Sequence, residues 1–136
     1  MTTRHAACSC GQITLRCEGE PLRVSVCHCL ACQRRTGSAF GVQARFHRDQ
    51  IRERTGTPTT FTRIGGSGMA LTFHFCPGCG STVYYTMNGA EPPYTTDYLA
   101  IAVGAFAEPS FPAPQVSVYE ARRHPWVALA DVEHID

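Results

Sequence analysis

Apolar and polar residues alternate with a period of two over short stretches of the chain, and glycine or proline separates these stretches. In Gln12–Cys17, for example, Ile13, Leu15 and Cys17 share one face while polar residues occupy the other. Such alternation is typical of a strand with one buried face. No long stretch has the helical period, so the pattern predicts a mostly β, largely antiparallel fold.

Five further stretches have the length and composition of strands. Two of them flank the sequence CPGCG as the arms of a hairpin would. The five predicted strands are Ser38–Phe46, Thr59–Ile64, Met69–Phe75, Ser81–Met87 and Asp97–Phe106. Short helical turns are expected after Cys32 and near Val127–Ala130.

The length and composition are those of one globular domain, expected to span residues 1–136. The chain is 43% hydrophobic and 17% charged, which is sufficient for a buried core. Its formal charge of +1 argues against a nucleic-acid-binding surface, which would be strongly basic. No apolar stretch is long enough to span a membrane, and the first residues lack an apolar signal core, so a cytoplasmic location is predicted.

Eight cysteines are many for a protein of 136 residues. In a reducing compartment, cysteines at short spacings indicate metal ligation more often than disulfides. The alternative is a secreted disulfide framework. The even cysteine count would suit such a framework, but no export signal is visible.

The sequence CPGCG, Cys76 to Gly80, is typical of a zinc knuckle, in which a tight turn brings two sulfur atoms together. Cys8 and Cys10 form a second pair, again followed by glycine. The two pairs together predict a closed, structural zinc site with four thiolates. A redox role for the Cys-x-x-Cys pair is the alternative, but the thioredoxin-like βαβ context is missing.

Cys27, Cys29 and Cys32 form a separate Cys-x-Cys-x-x-Cys set. Three protein ligands and an available fourth position are typical of a reactive zinc site. Cys17 could close this site, although its shared face with Ile13 and Leu15 predicts a core residue instead. His28 lies between two ligands and would point away from them in an extended segment.

Three thiolates donate strongly to zinc and leave the centre with a net charge of −1. Such a centre favours binding of an incoming thiol over activation of water. The predicted substrate therefore carries sulfur. Arg34 and Arg35 follow the trio, and they could compensate its charge, bind a substrate carboxylate, or form a solvated surface pair.

The cysteine blocks, in this order, resemble the glutathione-dependent formaldehyde-activating enzyme family, which includes centromere protein V-like proteins. The resemblance extends from about Cys8 to Trp126. It rests on the segments CSCGQITLRC, CHCLACQRRTGSAF, FCPGCGSTVYY and HPW.

This resemblance implies a tent-like β fold that contains a zinc ribbon and two zinc ions per chain. It implies structural ligands at Cys8, Cys10, Cys76 and Cys79, and catalytic-type ligands at Cys27, Cys29 and Cys32. The implied activity is that of a carbon–sulfur lyase of the S-hydroxymethylglutathione synthase type, which joins glutathione to formaldehyde. A non-catalytic two-zinc binding or scaffold module is the alternative.

The sequence departs from the family pattern at two places. Ala107 takes the position of an aspartate in a G-x-x-D-x-P stretch, and the following strand, Gln115–Glu120, has no histidine. These departures bear on the identity of the substrate and not on the zinc sites.

Overall fold

A computed structural model of the protein describes residues 1–135. Its helix α1 (Leu30–Thr36) follows the third strand directly. The strands are β1 (Thr3–Ala7), β2 (Thr14–Glu18), β3 (Arg23–Cys27), β4 (Gly41–His47), β5 (Ile51–Thr55), β6 (Thr59–Ile64), β7 (Ala70–Phe75), β8 (Thr82–Met87), β9 (Tyr98–Ala102), β10 (Val116–Val118) and β11 (Glu133–Ile135).

The strands of this region form two sheets. The smaller sheet has the order β1–β2–β5, and its neighbouring strands are antiparallel. The larger sheet has the order β11–β10–β3–β4–β9–β8–β7–β6. Strand β10 runs parallel to both β3 and β11, whereas β4 is antiparallel to its neighbours β3 and β9. The larger sheet is therefore mixed.

The main core contains side chains from both sheets. Leu15 and Cys17 of β2 belong to the same buried cluster as Ala44 and Phe46 of β4 and Ile101 of β9. On β4 and β9, the intervening residues point to the opposite face of the larger sheet because successive side chains of a strand alternate. That opposite face carries the candidate site described below.

The prediction of a mostly β fold is confirmed. The predicted hairpin around CPGCG is present as the antiparallel pair β7–β8, and the predicted buried face of Ile13, Leu15 and Cys17 is confirmed by exposures of 2%, 2% and 0%. Within residues 1–135, no helix is both long and apolar enough to cross a membrane.

Two local predictions were wrong. Residues Val127–Ala130 form no helical turn. The predicted strand Asp97–Phe106 ends at Ala102, and a 3₁₀ turn occupies Val103–Phe106. The helical turn expected after Cys32 is present as the second half of α1. The helix itself begins at Leu30, where the Cys29 side chain caps it by accepting a hydrogen bond from the Cys32 amide at 3.3 Å.

Gly56 directly follows β5, at a position whose backbone conformation and surroundings leave no room for a side chain. Its φ is +81°, and a Cβ atom there would lie 2.1 Å from the carbonyl oxygen of Gln12. We therefore expect Gly56→Ala to destabilise the protein by roughly 1–3 kcal/mol, measured by urea unfolding at a fixed metal concentration. Gly104→Ala is the matched control, since a Cβ atom there meets nothing within 4 Å. Equal stability of the two variants would contradict the prediction.

Candidate metal centres and the adjoining cavity

Four cysteine sulfur atoms from distant parts of the chain converge beside the smaller sheet. Cys8 and Cys10 follow β1, Cys76 and Cys79 follow β7, and all four Sγ atoms lie within 4.8 Å of one another. Cys8 and Cys76 are buried, whereas Cys10 and Cys79 are exposed. The cluster therefore has an inner and an outer half.

Tight turns direct backbone N–H groups at the two buried sulfurs. The amide of Ile13 donates to Cys8 Sγ at 3.2 Å, and the amide of Gly78 donates to Cys76 Sγ at 3.3 Å. Gly80 closes its turn with a φ of +79° and donates its amide to the Cys76 carbonyl at 2.8 Å. This is the geometry predicted for the knuckle, in which amide donors stabilise negatively charged sulfur.

The sulfur spacing fits a tetrahedral metal ion. Cys8 Sγ and Cys10 Sγ are 3.7 Å apart, and Cys10 Sγ and Cys76 Sγ are 3.6 Å apart. Zinc–sulfur bonds of about 2.3 Å in a tetrahedron require sulfur–sulfur distances of about 3.8 Å. All eight cysteines of the chain are free thiols, which is contrary to the disulfide alternative. The cluster could therefore hold a metal ion, and zinc is compatible with it.

Cys27, Cys29 and Cys32 form a second cluster at the junction of β3 and α1, with their sulfur atoms within 4.8 Å of one another. Hydrogen bonds from the Cys27 and Cys32 thiols lower the pKa of Cys29 to about 2. The hydrogen bond between Cys27 and Cys29 in turn raises the pKa of Cys27. Negative charge thus collects on the Cys29 sulfur. Within residues 1–135, no histidine, carboxylate or fourth cysteine joins this cluster.

Cys17 and His28, the two residues considered as further ligands, both lie outside the second cluster. Cys17 is fully buried in the core, and burial raises the pKa of its thiol to about 12. His28 is also fully buried, and its Nε2 atom lies 2.8 Å from Ser117 Oγ and 3.1 Å from a Glu120 carboxylate oxygen. This contact fixes the segment between Cys27 and Cys29 against β10.

The structure separates Arg34 from Arg35. Arg35 Nη2 lies 3.7 Å from Cys32 Sγ, and its guanidinium stacks over Phe73 at 5.3 Å. A Cβ atom on Gly41 would lie 3.1 Å from the same Nη2 atom, so the glycine gives Arg35 room beside the sulfurs. Arg34 is exposed. Arg35 therefore compensates the charge of the cluster, and substrate contact by either arginine stays a prediction.

All three cysteines of the second cluster line a cavity of about 490 Å³ on the outer face of the larger sheet. Its walls include Tyr85, whose pKa burial raises to about 12, and the exposed Tyr119, which has a left-handed φ of 57°. The cavity is large enough for a small-molecule ligand. The second cluster, unlike Cys17 in the core, thus faces a space that a ligand could enter.

Several residues of this cavity escaped the sequence analysis. The cavity is lined, beside the cysteines, by Arg23, Ser25, Gln43, Arg45 and Tyr94. A signal was present in two alternating segments, Arg-x-Ser-x-Cys in β3 and Gly-x-Gln-x-Arg in β4. The β3 segment was not predicted as a strand, and the β4 segment, although part of the predicted strand Ser38–Phe46, was not assigned to a face.

The chain belongs to the glutathione-dependent formaldehyde-activating enzyme family, whose sequence model matches residues 3–122. The matched region includes both cysteine clusters and most of the residues that line the cavity. A search of curated proteins finds none that matches the chain.

Cys17 provides a test of the closed-site alternative. We expect Cys17→Ala to lower stability by about 1 kcal/mol, as a small core truncation does, and to leave the metal content per chain unchanged. Urea unfolding and elemental analysis measure the two quantities. Loss of one metal ion per chain would show that Cys17 is a ligand.

Cys79 tests the structural role of the first cluster. We expect Cys79→Ser to be unfolded or insoluble, because structural zinc contributes on the order of 10 kcal/mol, as much as a whole domain's stability. Cys29→Ser is the matched control in the second cluster and should remain folded. Circular dichroism and elemental analysis distinguish the two variants. A folded Cys79→Ser protein that retains two metal ions would refute the assignment.

Proposed function

We propose that the protein is a zinc-dependent carbon–sulfur lyase that joins the glutathione thiol to formaldehyde and catalyses the reverse cleavage. The observation that carries the proposal is the contrast between the two clusters. The four sulfur atoms of the first cluster lie close to one another, whereas the three cysteines of the second cluster line a cavity large enough for a small ligand. Membership of the family supports glutathione and formaldehyde as the reactants.

In this proposal the first cluster holds a structural zinc ion through Cys8, Cys10, Cys76 and Cys79. The second cluster holds another zinc ion through Cys27, Cys29 and Cys32. A zinc ion held there would lower the pKa of an incoming thiol and favour its thiolate form. In the reaction a carbon–sulfur bond forms, the carbonyl π bond breaks, and the thiol proton ends on the former carbonyl oxygen. The products and reactants therefore balance without an oxidant or reductant.

The residues around the second cluster support this chemistry by position and charge. Arg35 contacts Cys32 Sγ and offsets the negative charge of the three sulfurs. The buried His28 holds the Cys27–Cys29 segment by its contacts with Ser117 and Glu120, so the sulfur positions are fixed before a ligand enters. Ser25 and Gln43 give the adjoining floor hydrogen-bonding groups.

The proposal takes residues 1–136 as one domain that acts in the cytoplasm. A reducing compartment keeps thiols reduced, and the eight free cysteines support this location. The reactants are small molecules, and neither a nucleic acid nor a membrane takes part.

The reaction can be tested by the exchange of ¹³C-labelled formaldehyde with glutathione, measured by NMR exchange spectroscopy against the uncatalysed rate. We expect the zinc-loaded protein to accelerate exchange. Cys29→Ala should lose one zinc ion and at least about tenfold of the acceleration while its circular dichroism spectrum is retained, because the first cluster is intact. Cys17→Ala is the control and should keep the acceleration.

Two results would contradict the proposal. The first is a wild-type protein that contains two zinc ions and leaves the exchange rate unchanged. If such a protein still binds thiols, the non-catalytic module is the better description. The second is full acceleration by Cys29→Ala, which would separate the activity from the second cluster.

A further inference from the structure

The outer face of β3 and β4 carries a ladder of polar residue pairs that leads away from the second cluster. Cys27 lies opposite Gly41, Ser25 opposite Gln43, and Arg23 opposite Arg45. All of these residues share one face because they are two positions apart on each strand. The ladder therefore begins at the cysteine positions and ends at the arginine pair, and the backbone positions of Cys27 and Arg23 are roughly 13 Å apart along β3 at about 3.3 Å per residue.

The arginine pair at the far end is unusual for a sheet. Like charges directly opposite each other on neighbouring strands are destabilising. Arg45 is only 5% exposed, and its Nε atom is buried without a hydrogen-bond partner, as is that of the half-buried Arg23. Among residues 1–135, no carboxylate forms a salt bridge with either arginine.

The contacts that these arginines do make leave their charge uncompensated. Both guanidinium groups stack against the ring of Tyr94, at 5.1 Å for Arg45 and 5.8 Å for Arg23. Arg45 Nη2 also contacts the Met87 sulfur atom at 3.6 Å. An arginine side chain stays charged at every physiological pH, so burial cannot be relieved by loss of a proton. An anionic ligand would supply the missing partner.

We propose that Arg23 and Arg45, stacked on Tyr94, form a carboxylate-binding subsite that selects thiols carrying a carboxylate at a distance from the sulfur. The inference rests on the proposed function for the sulfur end of the ligand. The carboxylate binds at the arginine pair, and the chain between the two groups lies along Ser25 and Gln43. The Gln43 Oε1 atom is buried and unpartnered, so it is available to accept a hydrogen bond from a donor in that chain.

Matched ligands of equal length test the subsite. We expect the zinc-loaded protein to bind 6-mercaptohexanoate about tenfold or more tightly than 6-mercaptohexan-1-ol, measured by calorimetry, because a hydrogen-bonded charge pair replaces a neutral contact. Arg45→Gln should remove most of this difference, because it weakens binding of the mercaptoacid much more than binding of the alcohol. Arg52→Gln is the control, since Arg52 is an exposed residue of β5 and its loss removes the same charge.

Arg23→Gln provides an independent variant should Arg45→Gln fail to fold, because Arg23 also lines the cavity and is only half-buried. It should also reduce the preference for the mercaptoacid. Equal affinities of the wild-type protein for the two thiols would overturn the proposal. So would a preference that both arginine variants retain.

Hexanoate, which has no sulfur, separates this inference from the proposed function. Its binding should be weaker than that of the mercaptoacid and should depend on Arg45 and Arg23. Such binding by a protein that does not accelerate formaldehyde exchange would support the subsite while the proposed function fails. Accelerated exchange together with hexanoate binding that is insensitive to both arginine variants would overturn the subsite alone.

Discussion

Four sulfur atoms from two distant turns converge to within 4.8 Å of one another, and this contact connects parts of the chain more than 60 residues apart. Cys8 and Cys10 belong to the turn between β1 and β2, and Cys76 and Cys79 belong to the turn between β7 and β8. The first turn connects strands of the smaller sheet and the second connects strands of the larger sheet, so the cluster joins the two sheets at one point. The sulfurs lie 3.6–3.7 Å apart, and as thiolates they would repel one another unless a bound cation removed that repulsion.

The same two sheets also determine where chemistry can take place. One face of the larger sheet is covered by β1, β2 and the core around Phe46. The opposite face is free to line the cavity, and strand alternation presents Cys27, Gln43 and Arg45 to it. Burial of Val24 and Ala44 on the covered face therefore positions the functional residues on the other, so stability and site geometry share the same strands.

Much of the fold and the grouping of the cysteines into two clusters could be predicted from the sequence because their signals are local. The knuckle turns are encoded by Cys-x-x-Cys or Cys-x-Cys followed by glycine, and Gly80 has the positive φ that this pattern requires. The face of Cys17 follows from strand parity alone. Strand β3 was missed even though its residues alternate, because both of its faces are buried, with polar Ser25 among the buried residues, so the alternation does not mark a buried and an exposed face.

The arginine subsite could not be predicted for a related reason. Arg23 and Arg45 are 22 positions apart in sequence, and only the β3–β4 register brings them opposite each other. A single sequence gives no such register without knowledge of both strands. The parallel pairing of β10 with β3 was missed in the same way, because it depends on a long connection that leads back to the second cluster.

The shared face of β3 and β4 limits where the sequence can tolerate insertions and deletions. A strand has a side-chain period of two, so a one-residue insertion in β3 between Arg23 and Cys27 would turn one end of the ladder into the core. Sulfur and guanidinium would then point to opposite sides of the sheet. Substitutions within the ladder alter single contacts, whereas an insertion or deletion of one codon there would dismantle the site as a whole.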